Sequence, residues 1–72
     1  MIIVCSQFNI GIIIEFKTRR PKEEPNLART AQRALDQIEE KKYEVELRDR
    51  GVTNIKKLAI AFDKKEALVV EG

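Results

Sequence analysis

Seventy-two residues, 43% hydrophobic and 36% charged with a net charge of +2, describe one small globular domain that neither requires nor refuses a polyanionic partner. A chain this short buries only about 60% of its unfolded surface and leans on disulfides, a structural metal or oligomerisation. A single cysteine, Cys5, and no histidine exclude an internal disulfide and argue against zinc, which leaves oligomerisation, with a homodimer as the expected state.

The chain opens on Met-Ile-Ile-Val-Cys, an apolar run without a basic leader and far shorter than the roughly 20 residues a membrane span needs. No membrane partner is expected, and the location expected is cytoplasmic. Ile2–Cys5 reads as a short strand and Gly11–Lys17 (GIIIEFK) as a longer β-branched one, joined by a hairpin loop over Ser6–Ile10. Apolar residues on both faces near the start of the second run fit an interior strand covered on both sides.

Thr18–Asn26 (TRRPKEEPN) is polar, holds both prolines and ends on Asn26, a good helix N-cap. Leu27, Ala31, Ala34, Leu35 and Ile38 then share one helix face, with Arg29, Arg33, Asp36, Glu39 and Glu40 away from it. That spacing predicts a helix to about Lys42. Tyr43 and Leu47 add a further turn or two, stopped by Gly51.

From Ile55 to Phe62 the period becomes two. Leu58, Ile60 and Phe62 share one face and Ala59 and Ala61 the other, where two small side chains let a helix approach closely. Asp63, Lys64 and Lys65 form a turn, and Ala67–Val70 returns as a strand. The order is β-β-α-β-β in the α/β class. The helical crossover makes the second and third strands parallel, and hairpins add antiparallel neighbours on either side. The outcome is a mixed four-stranded sheet with helix on one face. Its other face, rich in isoleucine, is bare and implies a partner surface.

Glu15 and Lys17 lie two apart on a strand and so point to one face. Strand ends carry charges routinely, and Glu39-Glu40-Lys41, Glu40-Lys41-Lys42 and Asp63-Lys64-Lys65 fit the same acid-x-lysine pattern. The first two fall on the helix, where residues two apart diverge by about 200°. The third falls in a turn. Only Glu15-Phe16-Lys17 joins strand geometry to an apolar approach. Arg19, Arg20 and Lys22 follow closely and read as phosphate contacts or as a solvated loop partly neutralised by Glu23 and Glu24. Lys41 and Lys42 read as helix surface.

GIIIEFK, the polar loop, ALDQIEEKKY (Ala34–Tyr43) and IKKLAIAF (Ile55–Phe62), in that order, resemble the C-terminal part of PD-(D/E)XK nuclease domains. More narrowly, they resemble the bacterial and archaeal group in which that domain follows an AAA-ATPase-like domain. The resemblance implies a truncated PD-(D/E)XK, restriction-endonuclease-like core over residues 1–72, without its usual first helix and strand. It implies divalent-metal-dependent phosphodiester hydrolysis of nucleic acid, DNA included. Glu15 would hold Mg2+ or Mn2+ with the Phe16 carbonyl, Lys17 would activate or orient water, and Gln37 would point toward the site. Arg19, Arg20 and Lys22 would meet nucleic acid. Tyr43 lies six residues after Gln37 and is expected to pack against Leu47.

The family's metal-binding aspartate stands just ahead of a segment resembling Met1-Ile2-Ile3-Val4. With Glu15 alone the metal is expected to be weakly held and catalysis impaired. Asp36 and Asp63 are substitutes by residue type only. Two other functions compete with an impaired nuclease-like domain. One is a small homo-oligomeric interaction module without enzymatic activity, and the other is an active nuclease assembled from two chains.

Overall fold

In the computed structural model, which describes residues 1–72, the isoleucine-rich N-terminal third forms two strands. These are β1 (Ile2–Cys5) and β2 (Ile10–Thr18), joined by a short 3-10 turn over Ser6–Phe8. Helix α1 (Leu27–Glu40) follows the polar loop, then come α2 (Tyr43–Asp49), β3 (Asn54–Phe62) and β4 (Ala67–Glu71). The sheet order is β1-β2-β3-β4, with β2 and β3 parallel across the helical crossover and the outer pairs antiparallel. This is the expected β-β-α-β-β arrangement.

Asn26 caps α1 as its position predicts, its side chain accepting from the Arg29 N–H at 3.0 Å. The helix ends two residues earlier than the apolar spacing suggests. Lys42 adopts a left-handed backbone (φ 56°), which breaks the helix and turns α2 so that Leu47 drops onto Ile13. Gly51 then ends α2 with φ 89°, where a side chain would be strained.

Two small cores hold the helices on the sheet. One joins Ile13, Ile38, Leu47 and Val52; the other joins Ala31 and Ala34 of α1 to Ala59 and Ala61 of β3. Four alanines in contact bring the helix axis close to the strand, as the alternation in β3 foretells. Gly11 serves the same closeness, since a Cβ there would stand 3.1 Å from the side chains of both Leu47 and Val52.

β2 is interior to the sheet, but the helices cover only one of its faces. Gly11 and Ile13 are buried beneath them, with Glu15 and Lys17 continuing on the same side. Ile12, Ile14 and Phe16 lie on the opposite face with Ile3, Leu58, Ile60, Phe62 and Val69, and nothing in the chain covers them. The expectation of cover on both sides is therefore corrected. Both helices fall on one side of the sheet, so a two-faced apolar strand leaves one face open. No helix is long and apolar enough to cross a membrane.

Candidate functional site

β2 delivers Glu15 and Lys17 to the helix-covered face, where their strand neighbours on β3 are Ala59 and Ala61. Those two alanines pack against Ala31 and Ala34 of α1, so the charged pair lies on a strand with the helix laid close beside it. The Glu15 side chain is only 12% exposed, and Lys17 Nζ stands 3.9 Å from its Oε1.

A second ammonium closes on the same oxygen. Lys41, the C-cap of α1, reaches across to β2 and places Nζ 3.5 Å from Glu15 Oε1. Its ammonium also lies over the Tyr43 ring, 5.8 Å from the centroid. Tyr43 first, and Glu15 after it, raise the Lys41 pKa above the ordinary lysine value. Sequence reasoning placed Lys41 on the helix surface. The contact joins residues 26 apart through the crossover, so no local spacing announces it. The available signal was Gln37, one turn earlier on the same side of α1, whose carbonyl accepts the Lys41 N–H at 3.0 Å. Gln37 is half-buried and its side chain takes part in no hydrogen bond. Tyr43 packs against the Ile13–Leu47 core, as expected.

Phe16 turns its ring to the open face. Its main chain follows the strand alternation: the N–H and C=O of Ile14 both bond Met1, so those of Phe16 point to the same edge. The Phe16 carbonyl thus points to the β1 edge of β2, one residue from the Glu15 carboxylate.

The acids named as substitutes are engaged elsewhere. Asp36 accepts from Gln32 at 2.9 Å on the outside of α1. Asp63 accepts the N–H groups of Lys65 and Glu66 in the β3–β4 turn and pairs with Arg19 at 3.6 Å. No three acidic, histidine or cysteine side chains converge anywhere in the chain. A resident Mg2+ or Mn2+ wants an octahedral set of oxygens, commonly including one or two carboxylates with water and substrate phosphates. One carboxylate already shared by two ammoniums does not fit that demand.

The cationic loop divides into two groups. Arg19 donates to the Glu24 carbonyl at 2.8 Å and braces Asp63, so it is structural. Arg20 pairs loosely with Glu23 at 3.4 Å, and Lys22 makes no ion pair; both face solvent. With Thr18, Pro21, Glu23 and Arg33 these three residues line an open depression.

The centre of that loop is Glu24, which the sequence alone presents as a charge partly neutralising the loop. It is buried and receives Arg33 Nε at 2.6 Å, the Arg20 N–H at 2.8 Å and the Thr30 hydroxyl at 3.0 Å. The Arg33 hydrogen bond, above all, holds its pKa down to about 2. Arg33 is likewise not an outward residue, since it also donates to the Thr18 carbonyl at 2.7 Å.

The sequence model of the PD-(D/E)XK nuclease superfamily matches residues 2–72. No curated protein and no solved structure matches.

Proposed function

The chain belongs to the PD-(D/E)XK nuclease superfamily, whose members generally depend on a divalent metal, and we propose that these residues form a nuclease-like half-site. In this reading they bind the phosphate backbone of nucleic acid and do not cut it unaided. The observation that carries the reading is the surroundings of Glu15: one carboxylate with two ammoniums within 4 Å, outside any cluster of three metal-ligating side chains.

Each retained residue has a role consistent with that. Lys17 supplies fixed positive charge beside Glu15. Arg20 and Lys22 offer solvent-facing donors to a polyanion running past the end of β2. Arg19 and Arg33 hold the loop in shape. Hydrolysis by the family's chemistry calls for a further carboxylate supplied from outside these residues.

Fluorescence anisotropy of a labelled DNA duplex, with a plasmid-nicking assay in Mg2+ or Mn2+, tests both halves. The expected result is salt-sensitive binding without cleavage. Cleavage by these residues alone would overturn the half-site; absence of binding at low salt would overturn the phosphate reading.

A second reading rests on the open sheet face, where Ile3, Phe16 and Val69 are 45%, 48% and 59% exposed. Such a face in so small a domain favours self-association as a homodimer, stacked sheet to sheet at about 10 Å. Sedimentation velocity showing a monomer at all accessible concentrations would remove it.

A further inference from the structure

We infer that Lys17 and Lys41 together form an anion subsite for one backbone phosphate, with Glu15 as the carboxylate that holds the two ammoniums side by side. The inference rests on the nucleic-acid reading above and adds to it a residue, Lys41, that neither the family motif nor the sequence pattern singles out.

Charge decides what the cluster accepts. Two ammoniums around one carboxylate leave a net charge of +1, so an entering divalent cation is opposed and a phosphate oxygen is drawn in. The layering agrees: the Glu15 side chain is 12% exposed, Lys17 23% and Lys41 44%. An approaching group therefore meets the cations first and the carboxylate last.

Donor capacity points the same way. An ammonium carries three N–H donors. Lys41 spends one toward Glu15, at 3.5 Å, and Lys17, at 3.9 Å, is in charge contact without a hydrogen bond. Both keep donors for an incoming oxygen. Lys41 is also pre-positioned, held between the Glu15 carboxylate and the Tyr43 ring, so it loses less rotamer freedom on binding than a solvated lysine does.

The chain's other lysine–carboxylate cluster is the useful contrast. Lys57 of β3 sits between Glu39 of α1 and Glu44 of α2, one ammonium between two carboxylates, and Arg48 satisfies Glu44 further. That cluster is a brace between elements, with its cation inside. At Glu15 the order is reversed, with cations outside and open to a ligand.

The test uses a short DNA duplex without metal, with binding measured over a range of NaCl concentrations. Each phosphate contact contributes about 0.9 to the slope of log affinity against log salt. Lys41→Gln is expected to weaken binding and lower the slope by part of that amount, because Lys17 stays on the same phosphate. The double variant Lys17→Gln/Lys41→Gln should lose about the whole of it, Lys41→Arg should restore the parent behaviour, and Lys42→Gln should change neither. A Lys17→Gln/Lys41→Gln slope equal to that of the unaltered protein, or a Lys41→Gln affinity unchanged at every salt concentration, overturns the subsite while leaving nucleic-acid binding intact. No binding by the unaltered protein overturns both. Should Lys41→Gln fail to fold, inorganic phosphate titrated into the unaltered protein decides. Shifts of the Glu15, Lys17 and Lys41 amide signals support the subsite, and unmoved signals overturn it.

Discussion

Met1 and Ile14 exchange two main-chain hydrogen bonds, the Met1 ammonium donating to the Ile14 carbonyl at 2.6 Å and the Ile14 N–H to the Met1 carbonyl at 2.7 Å. The β1–β2 ladder, in which Ile2 faces Ile13, thus continues to within one residue of Glu15. The next position ahead of Met1 along that ladder stands opposite Glu15 and on the same face of the sheet.

An aspartate at that position is expected to put a second carboxylate beside Glu15 and near the Phe16 carbonyl. Calorimetric Mn2+ affinity is expected to be measurably tighter than with asparagine in the same place. Equal affinity for the two would mean that the ladder does not align a second carboxylate with Glu15.

Glu24 makes stability depend on acid pH. Its folded pKa, about 2, lies below its ordinary 4.5, so its contribution is fully present above the ordinary value and is lost as pH falls from there toward 2. Glu24→Gln is expected to lower Tm by several degrees at neutral pH, with the gap to the parent closing below pH 4.5. A gap that stays constant down to pH 2 would show that the ionised carboxylate is not what Arg33 and Thr30 hold.

The two faces of β2 differ in what truncation removes. Ile13 is fully buried, and Ile13→Ala is expected to destabilise by about 2–5 kcal/mol, much of the stability of a domain this small. Phe16, 48% exposed, should lose far less on truncation to Ser, within roughly 0.5–1 kcal/mol in the monomer. Urea unfolding of both variants at low concentration checks the ordering. A larger loss for Phe16→Ser would show the open face to be covered in solution.

The alanine layer under α1 predicts the opposite kind of damage. Ala61 is wholly buried against α1, and Ala61→Leu is expected to cost about 1–3 kcal/mol by pushing the helix off β3. Because Lys41, at the end of the same helix, reaches Glu15 on β2, the variant should also disturb the Lys41 amide signal. An unperturbed Lys41 would separate the packing from the site.

What the sequence made legible was whatever repeats locally. The isoleucine run, the Asn26 cap, the apolar stripe of α1 and the Ala59/Ala61 alternation each place an element by its own period, and the helix between two strands fixes the parallel pair. Glu15 and Lys17 were legible for the same reason, two residues apart on one strand. Lys41 and the Glu24–Arg33 pair were not. Their partners lie 26 and nine residues away in the chain and meet only once α1 is laid on the sheet. The left-handed Lys42 escaped notice too, because lysine carries no turn signal and the tertiary pull of Leu47 sets its backbone.

In the half-site reading, Glu15 is already taken up by the Lys17 and Lys41 ammoniums. Titrating Mn2+ while following the amide signals of Glu15, Phe16 and Lys17 tests it most directly. These signals are expected to broaden no more than those of surface carboxylates such as Glu40 and Glu66, and a DNA duplex in the same tube is expected to stay intact. Selective broadening at Glu15 and Phe16, with DNA cleavage abolished in Glu15→Ala, would contradict it.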